Sequence, residues 1–285
     1  MDINTRNRNK SIILRLAMYV FLTVITLFVI VPFIWVIGNA FRPNAEIGMF
    51  TDLSWYTFIP REFTIGNFDR MFEQLNMIHI IINTLIVAFS VTAGSLVINS
   101  LTGYSFARIN FKGKGFIFII FISMLMLPIE ILIISLYLTI VDLKLSDTYI
   151  SLILPFLASP FGIFFMRQFF SNVPKELDEA AILDGCGHFK IFSRIYMPLA
   201  KTPLLTLGLL VFLQQWDSFI VPVTFINDEN KMLLQVALTR LSMGLYMTDY
   251  GVLYAGVTLS IVPILIIYLI FQKHIVENIA TTGLK

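Results

Sequence analysis

From Leu16 to Phe41 the chain carries no charged residue. A helix rises about 1.5 Å per residue, so about 20 apolar residues cross the hydrocarbon core of a bilayer. This run exceeds that length, and Arg6, Arg8, Lys10 and Arg15 stand before it. A cleaved secretory signal has a shorter apolar region that ends in small residues. Here bulky Phe33, Ile34 and Trp35 stand near the end, which predicts an uncleaved first span over 15–38.

Five more apolar stretches follow, and they predict spans over 80–101, 115–140, 149–169, 203–226 and 251–271. Glu130 interrupts the third span and Asp217 the fifth. Of the 285 residues, 57% are hydrophobic and 13% charged, about half the charge a soluble domain carries. That balance excludes a disordered chain, a coiled coil and an ordinary cytosolic enzyme. A net charge of +2 offers no basic excess for nucleic acid. Cys186 stands alone and His79, His188 and His274 are scattered, so neither a disulfide framework nor a metal site is expected. Long continuous runs favour six helices over a membrane barrel, whose strands alternate. The fold class expected is therefore an all-α membrane protein.

Lys and Arg favour the cytoplasmic connections. Fourteen of the twenty lie in the N-terminus, the second-to-third and fourth-to-fifth connections and the tail; six lie elsewhere. Both termini are expected in the cytoplasm: segment 1–14, then one membrane domain over 15–275, then tail 276–285. The connection 42–76, with Pro43, Trp55, Pro60, Gly66 and Asn67, is expected to form an ordered external cap with short interfacial helices.

The connection 170–201 is charged and helical in pattern. Pro174 suits a first helical turn, and Glu176, Asp178 and Glu179 complement the positive end of a helix. Leu177, Ala180, Ala181 and Asp184 share a face at helical spacing, narrow enough for another protein to approach. Gly185 and Gly187 allow a turn. A second helix is expected over 188–196, with Phe189 and Phe192 on one side, Lys190 and Arg194 on another, and Pro198 ending it. The plain alternative is an amphipathic pair lying on lipid headgroups. No glycine-rich run ending in GK[ST] occurs, so the chain has no phosphate-binding loop of that kind.

The spacing Glu179-Ala180-Ala181, three residues, Gly185, nine residues, Ile195, one residue, Met197, Pro198 resembles the EAA loop of ABC-importer permease subunits, which usually carry Leu where Met197 stands. The resemblance covers nearly the whole chain. Tyr104–Gly113, Leu127-Pro-Ile-Glu130 with Leu136-Tyr137, Phe169–Leu177 and Gln215-Trp-Asp-Ser-Phe219 are similar to the carbohydrate-uptake subfamily. Residues 271–285 resemble the tail of the six-span maltose-type permease. Ser135 and Asp217 depart from it, standing where relatives often carry proline and asparagine.

The resemblance implies a type I ABC importer permease fold in a bacterial or archaeal cell (inner) membrane, with a cytoplasmic EAA coupling helix pair. It implies as partners a homologous second permease subunit, two ATP-binding-cassette ATPase subunits and an extracytoplasmic solute-binding protein. This chain would bind no cofactor itself; ATP and Mg would sit on the ATPases, which hydrolyse ATP. It assigns ATPase coupling to Glu179, Ala180, Ala181, Asp184, Gly185, Ile195 and Pro198, and a carbohydrate as solute.

Carboxylates in mid-span cost about 2.5–3.5 kcal/mol each, so Glu130 and Asp217 are expected to line a wet cavity or bond a neighbouring helix. Trp216 and Phe219 flank Asp217, and Tyr137 follows Glu130 at helical spacing; aromatics beside carboxylates suit sugars. These five are the expected pathway residues, with packing as the alternative for each aromatic. Asn83, Thr84 and Asn99 are expected to bridge helices. Other readings are glycerol phosphate, a polyamine or another polar solute, or an ion-coupled secondary carrier with Glu130 and Asp217 as proton sites.

Overall fold

The computed structural model describes residues 3–47, 54–242 and 249–282, with side chains over 14–47, 54–242 and 249–272. Residues 1–2, 48–53, 243–248 and 283–285, parts of the expected N-terminus, cap and tail among them, lie outside the described residues. Every regular element among the described residues is helical. In chain order the α-helices are α1 (Ile3–Ala40), α2 (Trp55–Phe58), α3 (Gly66–Gln74), α4 (Met77–Arg108), α5 (Lys114–Ser123), α6 (Ile129–Asp142), α7 (Tyr149–Ile153) and α8 (Pro160–Ser171). Then come α9 (Glu176–Leu183), α10 (His188–Ile191), α11 (Met197–Leu199), α12 (Lys201–Trp216), α13 (Ile220–Phe225), α14 (Leu234–Ser242) and α15 (Tyr250–Thr282).

Among the described residues, three stretches are long and apolar enough to cross a membrane unbroken: Leu14–Ala40, Met77–Arg108 and Tyr250–Gln272. Lys114–Met126 with Ile129–Asp142 is bent by 107°, and Tyr149–Phe156 with Pro160–Ser171 by 40°. His188–Leu199 with Lys201–Trp216 is bent by 80°; counting each bent pair once gives six candidate spans. Proline causes two of the breaks. Pro128 and Pro160 lack the N–H that a continuous helix needs, and each begins a new helix, where that loss costs little. Ser159 caps α8, accepting from the Gly162 N–H at 2.9 Å.

The described chain packs as two compact units. One comprises Met1–Leu75 and Arg240–Ile261. Within it the connection after α1 holds the short helices α2 and α3, as its sequence suggested. Buried Asn67 ties α3 to the end of α1, donating to the carbonyls of Ala40 and Arg42 at 2.8 Å each. Arg70 pairs with Asp249 at 3.1 Å.

The other unit comprises Asn76–Thr239 and Val262–Lys285. Its axis is α4, which packs along α8 and α12. A side chain on Gly103 would fall 2.7 Å from Met166 Cβ and 2.8 Å from the Arg167 nitrogen, so α4 and α8 approach as closely as small residues permit. The polar residues of α4 bridge to other elements, as expected. Asn83 Nδ2 donates to the carbonyls of Asn230 (2.8 Å) and Met232 (3.2 Å). Thr84 Oγ1 accepts from the Leu234 N–H at 2.9 Å. Asn99 Oδ1 accepts from the Ser159 N–H at 2.9 Å.

Candidate coupling loop and solute pathway

Between α8 and α12 the chain makes a lever anchored at one end. Helix α9 starts at Glu176, two residues later than Pro174 suggested, with Glu176, Asp178 and Glu179 in its first turn. It ends in a left-handed glycine: Gly185 has φ +76°. Gly185 N–H donates to the Ile182 carbonyl and Cys186 N–H to the Ala181 carbonyl, both at 2.9 Å. That pair of bonds is the Schellman arrangement. No atom within 4 Å would obstruct a side chain at Gly185, so the glycine is there for its backbone angle.

The second arm departs from expectation. Helix α10 passes at Ile191 into a π turn over Phe192–Tyr196, and α11 continues through Pro198 to Leu199. Pro198 does not end the arm, because the wider π turn before it accommodates a residue with no N–H. The chain turns instead at Ala200.

Aromatic packing fixes the lever to the membrane helices. Tyr196, fully buried, has its ring centroid 5.0 Å from Tyr104 of α4 and 5.5 Å from Phe170 of α8. Phe192 lies 5.3 Å from Tyr104. Arg108, the last residue of α4, adds charge to this joint. Its Nε stands 3.6 Å from Asp178 Oδ2, its guanidinium lies 5.2 Å over the Tyr196 ring, and Nη2 donates to the Val173 carbonyl. The side chains are 5% and 19% exposed, a setting in which charges need partners.

Of the EAA residues, Glu179, Ala180, Asp184, Gly185 and Pro198 are exposed and Ile195 is half-buried. Ala181 is buried, packed into the chain's own core. The shared face expected for Leu177, Ala180, Ala181 and Asp184 is therefore split, with Ala181 facing inward and the others outward. The sequence reading missed the apolar tip of the lever. Leu183 is 89% exposed, Phe189 74% and Ile182 54%. Large apolar residues on both sides of a Gly-Cys-Gly turn were the available signal.

The five expected pathway residues disperse. Glu130 is exposed in the first turn of α6, just after the Pro128 break. Tyr137 is half-buried, 6.1 Å from the Phe225 ring. Trp216 is a core residue, 1% exposed and stacked on Phe212 at 5.9 Å. Asp217 caps the C-terminal end of α12, exposed, and accepts from Gln235 Nε2 at 3.1 Å. Phe219 is exposed in the short break before α13. Both carboxylates thus lie at helix breaks: Glu130 at the positive end of α6, and Asp217 at the negative end of α12 with Gln235 as its donor.

Where α5–α6 and α7–α8 break, a cavity of about 330 Å³ opens. Its polar lining is uncharged: Ser95, Ser159, Gln214, Gln215 and Ser218. None of the five expected residues lines it. Gln215 and Ser218, which bracket Trp216-Asp217, do. Isolated amides and hydroxyls in an apolar run gave no spacing signal.

The description "binding-protein-dependent transport system inner membrane component" fits a family whose model matches residues 99–281. The probable ABC transporter permease protein YurM of Bacillus subtilis is 33% identical over all of this chain and 93% of its own length. The arabinooligosaccharides transport system permease protein AraQ of Halalkalibacterium halodurans is 31% identical over 98% of this chain and 99% of its own. Among solved structures, a bacterial ABC transporter involved in import of the acidic polysaccharide alginate matches 93% of this chain and 97% of its own. Its TM-score is 0.81 at 22% identity, a likeness of fold. The chain therefore belongs to the family of inner-membrane permease components of binding-protein-dependent ABC importers.

Proposed function

We propose that this permease passes a sugar or oligosaccharide past the polar cavity at the helix breaks, driven through the lever over 176–199 by a partner ATPase. The observation that carries this reading is the joint at Arg108. A lever that transmits motion must be stiff where it meets the membrane helices, and buried aromatic and ionic contacts meet there. Its outer end bears Leu183, Phe189 and Ile182, an apolar tip beside Glu179 suited to a cleft in the ATPase. The fourteen-to-six basic bias supports a cytoplasmic position for that end and for both termini.

The solute class rests on the solutes for which AraQ and the alginate importer are named, and on the cavity's uncharged hydroxyls and amides, which suit sugar hydroxyls. A second, homologous permease would complete the pathway, with two ATPase subunits below and a solute-binding protein above. An ion-coupled carrier is disfavoured: Glu130 and Asp217, its proton sites, stay outside the cavity.

Liposomes holding the assembled importer should take up labelled oligosaccharide with internal binding sites of the ATPase supplied with ATP. Gln214→Leu or Ser218→Val should lower uptake about two- to tenfold, the worth of one hydrogen bond. Uptake driven by a proton gradient without ATP would overturn the reading.

A further inference from the structure

A second concavity lies within the larger unit, apart from the polar cavity, where α4, α12 and the latter part of α15 meet. It measures about 360 Å³. Phe89, Leu96, Leu205, Phe212, Ile267 and Phe271 form its walls, and the Phe89 and Phe212 rings lie 5.1 Å apart. Thr92 is its one hydroxyl, and that group already donates to the Ala88 carbonyl at 2.7 Å. The groove thus offers a ligand no free hydrogen-bond donor.

All three helices belong to candidate spans, so where they cross a membrane the groove lies at the depth of lipid chains. Gly208 contributes to it, but a side chain there would first meet Leu96 Cδ1 of the same chain at 3.3 Å. Its smallness serves the packing of α12 on α4.

Helical spacing puts a cation one turn beyond the groove's lining on α12. Leu204, Leu205, Gly208 and Phe212 form a stripe along α12, and Lys201 falls on that stripe one turn before Leu204. Lys201 is exposed and makes no hydrogen bond or ion pair among the described residues. It opens the 16-residue helix α12, whose first turn holds no acid, so the helix dipole adds positive potential there. An apolar slot at membrane depth, with a cation one helical turn beyond it that has no partner among the described residues, complements a lipid with an acyl chain and an anionic head.

We infer that this groove is a binding site for an anionic phospholipid, with one acyl chain between α4, α12 and α15 and the phosphate at Lys201. The inference needs the helices to span the membrane and is independent of which solute is carried or how transport is driven.

The test is to purify the assembled importer in mild detergent, count retained phospholipid by native mass spectrometry, and back-titrate with phosphatidylglycerol and with phosphatidylcholine. The wild type should retain phosphatidylglycerol in preference. Lys201→Gln should weaken its binding about fivefold, the effect of about 1 kcal/mol for one lysine near an anionic surface, and leave phosphatidylcholine unchanged. Thr92→Phe, which fills the slot, should abolish retention of both. Retention that ignores both variants, or an importer that keeps no phospholipid, would overturn the site. So would cross-linking of Leu209→Cys, in a Cys186→Ser background, to the second permease in native membranes, since a protein helix would then occupy the groove. Loss of ATP-driven uptake with the lipid count unchanged would bear on the proposed function alone.

Discussion

Replacing Arg108 by methionine keeps most of the side-chain volume but deletes the charge at the joint between α4 and the lever. Asp178 then lacks its cation, the Val173 carbonyl loses a donor, and the Tyr196 ring loses its guanidinium. Breaking a fully buried ion pair costs about 3–5 kcal/mol. Asp178 is still 19% exposed and the pair stands at 3.6 Å, so water can recover part of that cost. The expected penalty is about 2–3 kcal/mol. If local opening of the joint governs amide exchange over 188–199, exchange there should speed about 30- to 150-fold. Hydrogen exchange of the assembled importer measures this, alongside the ratio of solute transported to ATP hydrolysed, which should fall as the lever loosens. Asp178→Asn in the Arg108→Met background removes the stranded charge and should restore much of the protection, giving a favourable coupling term in the double-mutant cycle. Single-variant effects that simply add, with exchange and coupling ratio unchanged, would refute the idea that this pair stiffens the lever.

Gly185→Ala should cost about 1–2 kcal/mol because alanine resists a left-handed backbone, and Gly185→Asn should cost less; exchange of the Cys186 amide, held by the Ala181 carbonyl, reports both. Asp147 accepts the N–H groups of Asn227 (2.7 Å) and Asp228 (2.9 Å), which hold its carboxyl below the ordinary 3.8. Its contribution is therefore complete above about pH 4 and is lost as the pH falls further. Protection of those two amides should be flat from neutral pH down to that point and then decline, while Asp147→Ala should abolish the decline along with the protection.

Much of this architecture is legible in the residues. Charge-free runs mark the helices, prolines mark two breaks, and the amides and hydroxyl of Asn83, Thr84 and Asn99 announce bridges because an apolar span tolerates them only with partners. What the residues alone leave open has a shared cause. Ala181 sits beside Ala180 with identical chemistry, and only the placement of α9 on the membrane helices turns one inward and leaves the other exposed. Trp216 reads as a sugar platform or as a packing residue, and only the fold shows Phe212 stacked on it. Asp217 reads as a mid-span charge until the chain breaks beside it. Pro198 reads as a helix end because a π turn leaves no local sequence mark. Gln214 and Ser218 escape notice because single neutral polar residues become a cavity wall only when distant helix breaks meet.

On the proposed mechanism, the tip formed by Ile182, Leu183 and Phe189 would seat in the partner ATPase and carry its motion to α4 and α8 through the joint at Arg108. Leu183→Asp puts a charge on the residue 89% exposed at that tip and touches neither the buried joint nor the polar cavity. Measured on the purified importer, ATPase recruitment and ATP-driven uptake should fall together, by tenfold or more if about 1.4 kcal/mol of docking energy is lost. The permease itself should remain in the membrane at its usual level. Full recruitment and full uptake by Leu183→Asp would contradict the account and favour a lever lying on lipid headgroups.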